Sequence, residues 1–283
     1  MYAFPAPEFT LAHLSDSHIR AAADPLVGGR VDSRATTSRA LDVLTSWDQP
    51  VDAWLFSGDL SDDGSPDSYA WLRRQVEDAA ASVGVPVLWL NGNHDERAAF
   101  RAGLLGQAPS EEPYNAEHRV GDVRFLLLDT NLPGRPEGLV ADSSLGWLAD
   151  RLAEPDPPLG TVLVMHHTPL PPLQTAAGLW PLTNPQPVAE AVRGSGVRLI
   201  LGGHFHQPSH GTFAGIPVSG ATSLTYTQDL TDGLTLRGQD AGQGFALVQL
   251  YPADVMSTTV GLTRGALVHQ RITPADTAKL RKS

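Results

Sequence analysis

One join recurs along this chain and limits what it can fold into: a short apolar run that stops at a cluster of aspartate, asparagine or histidine. Phe9–Leu14 runs into Ser15, Asp16, Ser17 and His18, and Ala53–Phe56 into Ser57, Gly58 and Asp59. Val85–Leu90 meets Asn91, Gly92, Asn93, His94 and Asp95, and Val123–Leu128 meets Asp129, Thr130 and Asn131. Thr161–Met165 ends at His166 and His167, and Val197–Leu201 at Gly202, Gly203, His204, Phe205 and His206. Apolar runs of this length, bounded by turn-forming residues, read as buried strands. Ile216–Ser219, Phe245–Leu250 and Val255–Val260 read as later strands.

Helices fall between several of these runs. From Asp67 to Val83, the residues Tyr69, Leu72, Val76, Ala79 and Val83 recur at spacings of three and four, and Ser65-Pro66 supplies a cap and a first-turn proline. Leu145, Leu148, Ala149 and Leu152 make a second stripe between Ser143 and Ala153, and Arg34–Trp47 is a third, less regular helix. Strands alternating with helices predict an α/β core with parallel pairing. The C-terminal strands, with little helix among them, predict a second and more antiparallel sheet. No composition shift marks a boundary, so residues 1–283 read as one domain. Glu154–Pro158 and Pro169–Pro187 read as flexible surface, and the basic tail Ala278–Ser283 as frayed.

Composition narrows the chemistry. There is no cysteine, which excludes disulfides and thiolate metal sites and leaves any metal to nitrogen and oxygen. The formal net charge is −11, which disfavours docking on nucleic acid or an anionic membrane. An anionic substrate then needs a local positive centre. The N-terminus has neither a basic region nor a sustained apolar stretch, so no signal peptide is expected, and no run is long enough to span a membrane. A cytoplasmic location is the resulting expectation.

In open α/β sheets, ligands bind beyond the carboxyl ends of the strands, which is where every polar cluster falls. Singly, each has an ordinary reading. Asp16-x-His18 is a turn, and Gly58-Asp59 is a turn or cap. Gly92–Asp95 is a tight turn with Asn93 at positive φ, and His166-His167 is packing. Together they are harder to dismiss. Six of the ten histidines lie in these clusters, and aspartate, asparagine and histidine suit Mn, Fe or Zn.

The series Asp16-Ser-His18, Gly58-Asp59, Gly92-Asn-His94, His166-His167 and Gly203-His-Phe-His206 resembles the calcineurin-like metallophosphoesterase superfamily. Leu14–His18, Phe56–Leu60, Gly92–Asp95, Leu145–Leu148 and Tyr226–Leu230 are similar to the bacterial class III cyclic nucleotide phosphodiesterases, especially the mycobacterial type. That type carries a longer C-terminal extension, whose roles are not carried over.

The resemblance implies a two-sheet αββα sandwich holding two metals, Fe and Mn foremost, with Zn or Co accepted. It implies that Asp16, His18 and His206 hold one metal and that Asn93, His166 and His204 hold the other. Asp59 bridges them, and the neutral Asn93 amide leaves its metal more Lewis acidic. Two metals about 3.5–4 Å apart clamp the attacking and leaving oxygens of an in-line displacement, with a bridging hydroxide as nucleophile. Asn93 and His94 lie at the substrate, and His94 donates to phosphate or protonates the leaving oxygen; the other role for His94 is to orient a ligand. Asp95 caps the helix near Arg97 or orients His94. His13 and His167 either pack or support ligands, while His118, His210 and His269 read as surface residues. The expected substrate is a small phosphodiester: a 3′,5′-cyclic nucleotide or, as the alternative, a glycerophosphodiester. A metal-bound scaffold without catalysis is the non-enzymatic alternative. Relatives form dimers, so a homodimer is a further expectation.

Overall fold

In the computed structural model, which describes residues 5–269 and 272–273, every apolar run named above is a strand. The tail from Ala278 lies outside the described residues. In chain order the first half contains β1 (Phe9–Leu14), β2 (Leu26–Val27), β3 (Val31–Asp32), α1 (Ser33–Thr45), β4 (Ala53–Ser57), α2 (Pro66–Val83), β5 (Val87–Leu90), α3 (Arg97–Phe100), β6 (Ala116–Val120) and β7 (Val123–Leu128). Then follow α4 (Asp142–Leu152), β8 (Thr161–His167), α5 (Pro185–Val192), β9 (Val197–Gly203), β10 (Ser209–Phe213), β11 (Ile216–Gly220), β12 (Thr227–Gln228), β13 (Gly238–Gln239), β14 (Gly244–Leu250) and β15 (Val255–Gly261).

Two sheets carry the architecture. One has the order β15-β14-β1-β4-β5 and the other β10-β11-β9-β8-β7-β6. Alternation along the second sheet shows the layering. Phe125, Leu127, Val162, Val164, Leu199 and Leu201 join the first sheet in one apolar cluster. Their neighbours Leu126, Leu128, Leu163, Met165 and Ile200 point the other way, onto Leu148 of α4 and Val188 and Val192 of α5. A period of two that buries both faces needs cover on both sides. The first sheet supplies one cover and α4 and α5 the other, while α1 and α2 back the first sheet. This is the expected αββα sandwich.

The helices form for local reasons. Asp32 caps α1 by accepting from Ala35 N at 3.0 Å. Ser65 caps α2 by accepting from Ser68 N at 3.1 Å, Pro66 follows, and Gly84 at φ 74° ends the helix. The buried stripe of α2 is Tyr69, Leu72, Val76 and Ala80. Val83 is 42% exposed, because the stripe drifts round the helix and leaves the last turn facing water.

The late strands do not form the separate antiparallel sheet expected from the sequence. β14 pairs antiparallel with β1, and β15 with β14, while β10 and β11 extend the other sheet. β1 is thus paired on both sides, by β14 and by β4, and its backbone groups are not left at an edge. Among the described residues no helix is long and apolar enough to cross a membrane.

Candidate active site

The clusters at the ends of β1, β4, β5, β8 and β9 converge on one place. His18 Nε2 lies 3.1 Å from His206 Nε2 and 3.5 Å from Asp59 Oδ2, and His206 Nε2 is 3.3 Å from Asp16 Oδ1. On the other side of Asp59, its Oδ1 is 3.3 Å from His166 Nε2, and His204 Nδ1 is 3.0 Å from Asn93 Oδ1. A first-row cation with bonds of about 2.1 Å spaces its donor atoms roughly 2.9–3.4 Å apart at tetrahedral to octahedral angles. The observed spacings match closely. Three donor groups are formed: Asp16, His18, Asp59 and His206 in one, Asp59, His166 and His204 in a second, and His18, Asp62 and the exposed His94 in a third, with Asp59 shared by the first two.

The outer nitrogen of each histidine is held by an acceptor. His166 Nδ1 donates to Ser57 O at 2.9 Å, His206 Nδ1 to Tyr226 O at 2.9 Å, His204 Nε2 to Trp180 O at 2.8 Å and His18 Nδ1 to Asp62 Oδ1 at 3.1 Å. Each inner nitrogen therefore presents a lone pair, as a metal ligand must. His166 Nε2 is buried with no hydrogen-bond partner. The residues thus fit a pair of cations.

The electrostatics agree. Burial alone would raise the Asp59 carboxyl, but the charges of His166, His94 and His18 hold it well below the ordinary range. Burial would lower His166, yet Asp59 pulls it up to about 9. His204, shut away from water and beside His166, falls to about 4. A point that draws a proton this strongly attracts any cation.

The backbone is bent to make this possible. Asp16, His18, Asp59, His204 and His206 have φ of 56°, 41°, 49°, 74° and 52°, and among the described residues Ala214 is the only other non-glycine in that region. Such conformations persist where the surroundings enforce them. Gly58 and Gly92 allow the crossing of two loops: a Cβ on Gly58 would run into the His166 ring, and one on Gly92 into Asp59. Gly92–Asp95 is a tight turn, closed by Asp95 N donating to Gly92 O at 2.9 Å, but Asn93 is not at the positive φ expected of it. The β8–β9 register shifts between Val164 and His167, and such an irregularity re-aims the side chains around it.

Asp95 does neither task expected of it. Its carboxylate accepts from Leu60 N at 2.9 Å, Ser61 N at 3.0 Å, Gly92 N at 2.9 Å and the Tyr69 hydroxyl at 2.9 Å, tying the Asp59 loop to the Asn93 loop. The α3 cap is Glu96, without a side-chain bond. His94 stands at the mouth, 41% exposed in its side chain, with its ring centroid 4.7 Å from that of His18. Its backbone N–H donates to Asp59 Oδ1 at 2.9 Å.

His167 supports a neighbour. Its Nε2 donates to Pro136 O at 3.1 Å, Nδ1 accepts from Thr130 at 2.8 Å, and its ring centroid is 4.3 Å from that of His204. His13 is buried against Ser57 at 2.8 Å. His210 is exposed, but His118 is not the surface residue expected. It is half-buried on β6 with an unpartnered Nε2, because that edge strand leans on the body of the protein.

Sequence reasoning missed Asp62, Asp129 and the 170–182 segment. Asp62 holds His18 and pairs with Arg20. Asp129 accepts from Arg97 and Tyr114 N, and Asn131 donates to Gly92 O. The 170–182 segment is not loose surface: Gln174 Nε2 donates to Asp229 O, Asp232 O and Thr235 O. Its polar content hid these ties. The signal available for Asp129 was its place after an apolar run.

Residues 9–208 match the family model described as calcineurin-like phosphoesterase. The chain is 40% identical over 271 residues to the cAMP/cGMP dual specificity phosphodiesterase of Mycobacterium tuberculosis, across 95% of this chain and 85% of that protein. It is 40% identical over 260 residues to a Rhodococcus erythropolis protein named "Probable cyclic nucleotide phosphodiesterase", across 92% of this chain and 85% of the other. A dimetal phosphatase from Danio rerio shares the fold, with a TM-score of 0.65 at 15% identity over 91% of this chain and 97% of its own. The protein belongs to the calcineurin-like phosphoesterase family.

Proposed function

We propose that the protein is a dinuclear metal-dependent phosphodiesterase that hydrolyses 3′,5′-cyclic nucleotides to 5′-monophosphates. The observation that carries this is the pair of donor groups sharing Asp59. Asp16, His18 and His206 hold one metal, Asn93, His166 and His204 the other, and Asp59 both. Fe and Mn suit this all nitrogen and oxygen set, as do Zn and Co. When bound, the two ions supply Lewis acidity and a water activated at neutral pH.

The cleft above the donors has no lysine or arginine in its lining. A phosphate group would therefore find its positive counter-charge at the metals these residues would hold, with His94 beside them. His94, at the mouth, is placed to give a proton to the leaving 3′ oxygen as the P–O3′ bond breaks. Water contributes its oxygen to phosphorus, and the product is one 5′-monoester. The extra negative charge of that monoester fits a diester site poorly. The name of the mycobacterial relative supports the cyclic nucleotide as substrate. Ligands drawn from both sheets support reading residues 1–283 as one domain.

The test is to incubate Mn-loaded protein with cAMP and separate the products. Accumulation of 5′-AMP is expected. Cleavage of a glycerophosphodiester without 5′-AMP would replace the substrate, and release of adenosine with phosphate would replace the reaction class.

A further inference from the structure

The cleft over the donor atoms has two unlike halves. His18, Asp59, Asn93, His204 and His206 line one. The other is mostly apolar, built by Pro136, Ala177, Trp180, Tyr226 and Leu236, with Gln228 set among them. A wall of this kind suits a flat, largely apolar group beside the phosphate.

Gln228 is fixed in place by its backbone. Its N–H donates to His206 O at 3.2 Å, which anchors it next to the donors. Tyr226, just before β12, and Gln228 within it both line the cleft. Thr227 between them is buried and donates to Ala241 O at 2.6 Å. The Tyr226 ring lies 4.2 Å from that of His206, and Trp180 O accepts from His204 Nε2 at 2.8 Å. The apolar half is thus tied to the donor half at two points.

The Gln228 carboxamide itself has no protein partner. Its Oε1 is buried without a hydrogen bond, and its Nε2 donates to no described residue. Buried amide groups are almost always paired, so an unpaired one lining a cleft calls for a ligand group that completes it.

We propose that Gln228 reads the base of a cyclic purine nucleotide, pairing with its N6/N7 edge while the ring lies against Tyr226 and Trp180. This rests on the cyclic-nucleotide reading above. A glutamine amide offers an acceptor and a donor at the spacing of adenine N6–H and N7. Turned half a revolution, the same amide donates to guanine O6. Stacking on the aromatic wall serves either base, because every base has a π-face.

The experiment compares kcat/KM of wild type and Gln228→Ala, both Mn-loaded, on three substrates. These are cAMP, the 3′,5′-cyclic phosphate of purine riboside, which lacks the 6-amino group, and bis(p-nitrophenyl) phosphate. Wild type should favour cAMP over the purine analogue by about tenfold or more. Gln228→Ala should lose that preference, chiefly through KM on cAMP, while its aryl diester turnover stays within about twofold of wild type. A variant that keeps the wild-type preference overturns the proposal. So does an equal loss on the aryl diester, which would make Gln228 a structural residue. A wild-type enzyme active on the aryl diester and inert to cAMP would overturn the cyclic-nucleotide reading, and this proposal with it.

Discussion

The Tyr69 hydroxyl, from the buried face of α2, donates to Asp95 Oδ1 at 2.9 Å. The same carboxylate holds Leu60 N, Ser61 N and Gly92 N, so one helix is bolted to both loops that carry Asp59 and Asn93. Asp95→Ala leaves three backbone donors and a hydroxyl unpaired and should cost about 3 kcal/mol or more. Tyr69→Phe removes one bond and should cost about 1–2 kcal/mol. Support of this kind also governs metal affinity, which should fall about 10–100-fold in Asp95→Ala. Denaturant titration and metal analysis check both, and an Asp95→Ala protein as stable as wild type would remove this role.

Asp59 is shared by two of the donor groups. Asp59→Ala should lose bound metal and turnover together. Asp59→Asn should keep the fold and lose most activity, because the negative charge between two cations is gone. Mass spectrometry of the native protein beside an activity assay decides, and an active Asp59→Ala protein with two metals would sink the assignment.

His94 touches the site without belonging to either metal-sharing pair of donor groups around Asp59. His94→Ala should retain both metals and lower kcat by about 10²–10⁴ on cAMP. The loss should shrink for a nitrophenyl diester, whose leaving group needs no proton. Equal losses on both would make His94 a positioning residue.

His13 gives the protein an acid sensitivity of its own. Burial, only partly opposed by the Asp16 charge, lowers its pKa from 6.5 to about 4. The folded state therefore prefers the neutral ring. Its contribution is complete above about pH 6.5 and is lost as pH falls toward 4, by about 3 kcal/mol in all. His13→Gln should show a flatter fall in stability over that window. Parallel curves for the two proteins would contradict this.

The strands and the polar clusters at their ends were readable because both depend on local order: an apolar run, then a polar residue at its end. Asp16, His18, Asp59, Asn93, His166, His204 and His206 come together at one place. What escaped depends on distant partners. Asp95 looks like a cap until the Leu60 and Ser61 N–H groups are known to face it. β14 carries no mark that it will lie against β1 rather than a neighbour in sequence. β6 alternates Glu117, His118 and Arg119 on a half-buried edge, a pattern too polar to read as a strand. The wall around Trp180 rests on carbonyls supplied some fifty residues away, which no local pattern announces.

Asp16, His18, Asp59 and Asn93 follow strands of one sheet, while His166 lies at the end of a strand of the other and His204 and His206 follow one. The donor cluster thus spans both layers, and the metal pair proposed for it would clasp them together. Donor atoms spaced near 3 Å tolerate little sliding of one sheet over the other. A substitution deep between the layers, at Phe125 or Leu55 for instance, would spring the clasp before it opened the fold. Metal retention then works as a gauge of how well the two sheets are seated, and catalytic failure can begin far from any residue that touches the substrate.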